Sequence, residues 1–147
     1  MKRTFWEWVA YVLLFIWQLP QNIVGFIFWL VFSIDGNKKI IGETKWSRAW
    51  AAHKMSGGIS LGSFVFVSPK LSNMPEGVAH ELMGHTVDSR ILGPFYLLII
   101  GLPSVLHAAV KFTKCYYDFF TERLANKHAG LEADKDCRLR FKKETTN

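Results

Sequence analysis

Residues 5–34 form a long apolar block that is interrupted once, by the polar stretch QLPQN. Phe5 to Trp17 is apolar on every side of a helix except for Glu7 near its start, and Ile23 to Ile34 is apolar again. A helix that is apolar all round needs a core or a bilayer to cover it. Each half rises only about 20 Å, against about 30 Å for the hydrocarbon of a membrane. Two arrangements fit: one span kinked at Pro20, or a helical hairpin with Gln18, Gln21 and Asn22 at its tip. Lys2 and Arg3 precede the block, and Lys38, Lys39, Lys45 and Arg48 follow it. Positive charge on both flanks favours the hairpin with both ends on one side. Trp6, Trp8 and Tyr11 are placed for the interface. The run is too long, and lacks the small-residue cleavage site, for a signal peptide.

The sequence carries a net charge of +6. Such a balance suits an anionic lipid surface or a nucleic acid. Arg interleaved with aromatic residues on a polar stretch is missing, so lipid is the expected partner and nucleic acid is not. Cys115 and Cys137 are the only cysteines and form no C-x-x-C. They read as reduced thiols in a cytoplasm-facing protein, with Cys115 a small buried hydrophobe.

From residue 37 onward the chain reads as a mixed domain. Ile59, Leu61, Phe64, Phe66 and Val67 follow the turn signal Gly57-Gly58. They predict a small antiparallel hairpin, 45–54 against 59–67, with Gly62-Ser63 as a bulge. Asn73-Met74-Pro75-Glu76 opens a helix that runs to about Arg90 and stops at Gly93-Pro94. Residues 94–106, broken by Gly101 and Pro103, read as a short membrane-associated segment. A last helix covers about 104–128, and the charged tail after it is mobile at its end.

The chemistry centres on AHELMGHTVDSR, residues 79–90. Two histidines at i and i+4 of a helix share a zinc ion, and the Glu after the first serves as general base. Here His80 and His85 are five apart, which turns the second ring about 140° away on a regular helix. A π turn absorbs one extra residue, and Gly84 is the residue best able to take the distortion. The sequence therefore predicts a widened turn at about Leu82–Gly84, with both rings aimed at one point. Asp88, one turn after His85, is placed to orient a ring.

HELMGH resembles the H-E-x-x-G-H motif of dipeptidyl peptidase III, a zinc peptidase with the same extra residue and the same Gly. There the two His bind zinc, the Glu activates water and a Glu on a later helix is the third ligand. WQLPQN, GGISLGSFVFVS, GHTVDSRILGPFYLLIIGLPS and YYDFFTERLAN resemble a group of small bacterial membrane-associated proteins of metalloprotease fold. Members of that group carry the shorter H-E-x-G-H. These resemblances imply one Zn2+ per chain, held by His80, His85 and Glu122 of T-E-x-x-A-N, with Glu81 as catalytic base. Asp118 is the alternative third ligand. Cys115, Asp118, Glu122 and Asn126 fall on one face of the last helix, and Asn126 is a partner for a ligand carboxylate. Tyr116, Tyr117 and His107 are candidates to stabilise an oxyanion; His53 and His128 read as ordinary residues.

The fold class expected is α+β, mostly helical and membrane-associated: an apolar helical hairpin (1–36), then a minimal zincin-like domain (37–147) with a small β-hairpin, a zinc-motif helix and a ligand helix. The function expected is a membrane-embedded zinc metallopeptidase (gluzincin-like) that acts on a peptide or protein, in the bacterial inner membrane with its site toward the cytoplasm. The alternative is a non-catalytic membrane protein with a structural or degenerate metal site. In a structural site, Cys115 or Asp118 would supply a fourth ligand.

Overall fold

The structure is a computed structural model, and it describes residues 3–34 and 39–142. Lys2, Lys38 and the tail from 143 to 147 lie outside the described residues. The class is α+β and mainly helical, with small sheets.

Helix α1 (Phe5–Trp17) starts at a capping box: Glu7 N–H donates to Thr4 Oγ1, and Thr4 N–H donates to the Glu7 carboxylate. Glu7 also pairs with Lys45 at 2.6 Å, which ties the helix start to the loop before β2. Helix α2 (Leu19–Ile34) leaves α1 at a 91° bend. The break falls at Gln18 rather than at Pro20, because Pro20 sits in the first turn of α2, where a missing N–H costs nothing.

The polar residues at this bend are not an exposed tip. Gln18, Gln21 and Asn22 are all buried. Gln21 Nε2 donates to Ser89 Oγ at 3.0 Å and to the Gly93 carbonyl at 2.9 Å, and the Ser89 hydroxyl donates to Gln18 Oε1 at 2.7 Å. Ser63 N–H donates to Asn22 Oδ1 at 2.7 Å. Amides buried among apolar side chains need partners; these find most of theirs in α1 and in the rest of the protein, with Gln21 Oε1 left unpaired.

The main sheet has the order β1–β2–β4–β3. Strands β1 (Ile40–Glu43) and β2 (Arg48–Ala51) are antiparallel; β2 runs parallel to β4 (Phe64–Val67); β3 (Gly58–Leu61) is antiparallel to β4. The expected pairing of 45–54 with 59–67 is therefore corrected. Gly62-Ser63 is the hairpin turn and not a bulge, with Gly62 at φ +68°, a conformation open to Gly. Strand β4 enters between β2 and β3, so β3 becomes an edge.

Alternation sorts the sheet into two faces. Leu61 and Phe66 pack on Val24, Phe28 and Phe32 of α2. Ala49, Val65 and Val67 pack on Val78 and Leu82 of the next helical rod. That rod follows the short helix α3 (Pro69–Ser72) and consists of α4 (Pro75–Ala79), a π turn (His80–His85) and α5 (Thr86–Leu92). Met74, not Asn73, is its N-cap and makes no side-chain cap bond; Gly93 ends it at φ +53°.

A second bend, of 119°, leads to the helix Leu97–Val110, a π turn (Leu97–Gly101) followed by α6 (Leu102–Val110). Gly101 and Pro103 do not break it, because a widened turn dispenses with the i→i−4 bond that Pro103 cannot make. The helix expected over 104–128 is two helices. Lys111 adopts a left-handed conformation after α6, a 3₁₀ turn covers Tyr116–Asp118, and α7 (Phe120–Ala129) then begins. The charged tail pairs β5 (Leu131–Ala133) with β6 (Leu139–Phe141).

Cys115 and Cys137 form a disulfide across a separation of 22 residues, which corrects the expectation of reduced thiols. It ties the 111–119 segment to the β5–β6 hairpin. Reduction is expected to cost about 3 kcal/mol by relaxing the unfolded chain. Denaturant titrations with and without reductant check this; coincident midpoints would remove the constraint from the account.

No described helix is long and apolar enough to cross a membrane alone, although two bent pairs pass on length and composition. Helix α1 buries no residue, and α2, α5 and α6 expose Ile23, Ile27, Val31, Ile91, Leu106 and Val110.

Candidate metal centre

The π turn spans His80–His85, the six residues HELMGH. Bonding from i to i+5 stacks these two positions, and their ring centroids lie 4.9 Å apart. A widened turn leaves carbonyls without their usual partners. Two neighbours answer this: Thr86 Oγ1 donates to the Leu82 carbonyl at 2.7 Å, and the Ser60 hydroxyl lies 2.9 Å from the Glu81 carbonyl.

Gly84 serves a purpose other than the one expected. A Cβ there would lie 2.6 Å from the Ala125 carbonyl oxygen of α7. Gly84 thus allows α7 to press against the π turn, which carries Glu122 to the rings. Gly84→Ala is expected to push α7 back by a few tenths of an ångström and to weaken metal binding. Metal titration of this variant checks the claim, with unchanged affinity as the contrary result.

Glu122 and Asn126, one turn apart on α7, both reach the histidines. Glu122 Oε2 lies 3.0 Å from His80 Nε2 and 3.6 Å from His85 Nε2. Ligands bound tetrahedrally to zinc stand about 3.3 Å from one another, so these separations bracket what one ion requires. Ser104 and Thr121 hydroxyls hold the other oxygen, Oε1, at 3.1 and 3.0 Å. Asn126 Oδ1 is 2.8 Å from His80 Nδ1. In the tautomer that carries its proton on Nδ1, toward Asn126, His80 would present the Nε2 lone pair to the Glu122 carboxylate. Two acceptors face each other there, and a cation between them satisfies both.

Asp88 is buried beside His85, with Oδ2 3.4 Å from Nδ1. Its Oδ1 lies 2.9 Å from His128 Nδ1. None of these contacts has aligned hydrogen-bond geometry. Glu81 is buried, and its carboxylate Oε2 accepts from the Ser60 hydroxyl at 2.7 Å. Gly58 passes so close that a Cβ would collide with the Glu81 carboxyl. His80, Glu81 and His85 bring their ligand atoms within 4.8 Å of one another, a group able to hold a metal.

Burial alone draws the His85 imidazole down, but Asp88 and Glu122, with Glu81 behind them, outweigh it and hold it up to about 10. Burial pushes Glu122 up, yet His80 and His85 hold its carboxyl well below the usual carboxylate range. A raised imidazole stabilises the fold fully below its unfolded value of 6.5 and loses that contribution as pH climbs through about 10. The lowered carboxyl contributes above 4.5 and is lost as pH falls through its folded value. Metal-free protein is therefore expected to lose thermal stability as pH rises from 6.5 toward 10. Melting curves in chelator test this, and a melting temperature that climbs over that range contradicts it.

Not every expected residue reaches the site. Asp118 is exposed on the 3₁₀ turn, and Cys115 is in the disulfide. Neither shares a helix with Glu122, since α7 starts after them. His107 is fully buried; its Nδ1 accepts from Phe112 N–H, its Nε2 donates to the Tyr116 carbonyl, and its ring stacks on Phe119. It braces the loop and does not line the cleft. Tyr116 and Tyr117 do line the cleft, and Tyr117 meets His80 edge-on at 5.5 Å. Burial, then Glu81 and Glu122, pushes the Tyr117 hydroxyl up, so it is a donor at neutral pH. His128, expected to be an ordinary residue, stands against buried Asp88; Ser60, Ser104 and Thr121 carry no signal in the sequence, where nothing marks a lone hydroxyl as the neighbour of a distant carboxylate.

A cavity of about 930 Å³ opens above these groups. No protein-family model, no curated protein and no solved structure matches the chain. The residues themselves establish a His-Glu-x-x-x-His cluster that could bind a metal.

Proposed function

We propose that the protein is a membrane-seated zinc metallopeptidase. The observation that carries this reading is the convergence of His80, His85 and Glu122 at zinc-like separations, with the Glu81 carboxylate held beside them by Ser60. The donor set, two imidazoles and one carboxylate, suits zinc. A bound zinc would supply a water of lowered pKa and polarise a carbonyl. Glu81 would serve as the general base, taking a proton at its carboxylate and returning it to the leaving amine. The Tyr116 and Tyr117 hydroxyls, on the cleft wall, are donors for the developing oxyanion. The likeness of HELMGH to the dipeptidyl peptidase III motif supports the same assignment.

The exposed apolar faces of α1, α2, α5 and α6 support a seat in lipid. The disulfide favours an oxidising compartment for the site over the cytoplasm-facing orientation. A second reading draws on the nearness of Glu81 to both histidines. With Glu81 as a fourth ligand the site would be closed and structural. Cys115 and Asp118 do not offer that fourth ligand.

Metal analysis of the purified protein, together with assays on a peptide mixture, tests the proposal. About one zinc per chain and new peptide termini are expected. A metal-replete preparation without zinc ends the reading.

A further inference from the structure

The helix Leu97–Val110 turns one face to the metal centre, and one position on that face carries no side chain. Leu97, Gly101, Ser104 and Ala108 follow at spacings of 4, 3 and 4, which places them on one side of the helix. All four line the cleft. Ser104 fixes the direction of that face, because its hydroxyl donates to Glu122 Oε1 at 3.1 Å. Glu122 Oε2 in turn lies 3.0 Å from His80 Nε2. Gly101, one turn before Ser104, therefore stands beside the carboxylate that joins the two histidines.

Neither conformation nor packing calls for glycine at 101. Its φ of −58° and ψ of −55° are ordinary helix. A Cβ there meets nothing closer than Leu97 Cδ2 at 3.4 Å, an ordinary contact. Gly25, Gly58, Gly77 and Gly84 differ, since each has a neighbour within 3.0 Å of its Cβ position. Glycine inside a helix weakens it relative to alanine. What Gly101 supplies is open space on the wall of the cleft, next to the metal ligands.

The surroundings of that space are apolar. Leu97, Leu102 and Val105 line the same cavity. Leu102 and Val105 are 51% and 57% exposed, so the core of the protein does not use up their surface. The cavity, about 930 Å³, is large even for a ligand cleft. An anionic group in this space would stand near Glu81 and Glu122, which repel it, and would lose its water against apolar walls.

Building on the peptidase reading, we propose that this space takes a large apolar side chain, aromatic or leucine-sized, of the substrate residue beside the scissile bond. Gly101 sets the size accepted, and Leu97, Leu102 and Val105 pack the side chain. A small side chain leaves those walls in water, and an acidic one meets the carboxylates. Gly101 is thus a specificity-determining residue and takes no part in holding the metal.

The test uses full-length protein loaded with zinc in lipid nanodiscs, with binding read by calorimetry. The probes are acetohydroxamate and the N-acetyl hydroxamates of Phe, Ala and Asp. Their common group chelates zinc, and the amino-acid probes add one side chain next to it. The Phe probe is expected to bind at least about tenfold tighter than the Ala probe, the equivalent of one buried apolar side chain. The Asp probe is expected to bind weakest. Gly101→Leu fills the space itself and is expected to abolish the preference for Phe over Ala. Gly101→Ala, a step of one methyl group, is expected to reduce it in part. Acetohydroxamate, which has no side chain to place, is expected to bind all three proteins alike, with zinc content unchanged. Equal binding of the Phe and Ala probes to wild type overturns the inference, and so does an undiminished preference in Gly101→Leu. If wild type then still holds zinc and cleaves peptides, the peptidase reading survives alone. If wild type binds no zinc and cleaves nothing, both fail together.

Discussion

Glu122→Ala is expected to strip the centre of its metal. Glu122 Oε2 lies 3.0 Å from His80 Nε2 and 3.6 Å from His85 Nε2, and its other oxygen is fixed by Ser104 and Thr121. Losing a partner outside the ligand sphere typically costs 10–100-fold in affinity; losing this carboxylate should exceed about 100-fold. The variant keeps the Asp88 carboxylate 3.4 Å from His85 Nδ1, on the side of the ring away from Nε2. Competition titration with a zinc indicator measures the effect. Asp118→Asn, on the exposed 3₁₀ turn, is expected to leave affinity unchanged. The opposite pattern would move the third ligand to Asp118 and reject the geometry described above.

Glu81→Gln is expected to behave in the reverse manner. The amide keeps the shape of the side chain and an oxygen for the Ser60 hydroxyl, now 2.7 Å from the carboxylate. It cannot take a proton from water. Zinc content should stay near one per chain while kcat falls by about 100- to 10,000-fold, the usual worth of a general base. Loss of zinc in this variant would mark Glu81 as a fourth ligand and favour the structural reading. Full activity would remove the catalytic role altogether. Read side by side, the two variants separate holding the metal from using it.

The site was more legible in the sequence than the architecture around it. A spacing of five from His80 to His85 does not put two rings on one face of an α-helix, and helical phase alone demands a π turn if the rings are to meet. That turn is present over His80–His85. Glu122 Oε2 comes within 3.0 Å of His80 Nε2, whereas Asn126, expected to bond a ligand carboxylate, meets His80 Nδ1 at 2.8 Å instead; the two stay one turn apart because four residues make one helical turn wherever the helix begins. The apolar character of 5–34 was equally plain, as composition decides it.

What helical phase could not see was where helices end. Cys115 and Asp118 seem to share the face of Glu122 only if one helix covers 104–128. Lys111 in its left-handed conformation, the His107 brace and the disulfide end that helix and place both residues off it. The strand pairing failed for a related reason. Local alternation says that 45–54 and 59–67 are extended, but it does not say which strand enters between which.

Gly84 and QLPQN illustrate the division. The sequence determined that Gly84 matters and that the apolar block breaks at a polar knot, because residue type and spacing are local properties of a chain. Tertiary structure decided why. Gly84 is needed because the Ala125 carbonyl of a distant helix would lie 2.6 Å from a Cβ, and Gln18, Gln21 and Asn22 are buried because Ser63, Ser89 and Gly93 supply their partners. Phase along one helix is fixed by 3.6 residues per turn. Contact between helices is fixed by packing across tens of residues, which no local pattern encodes.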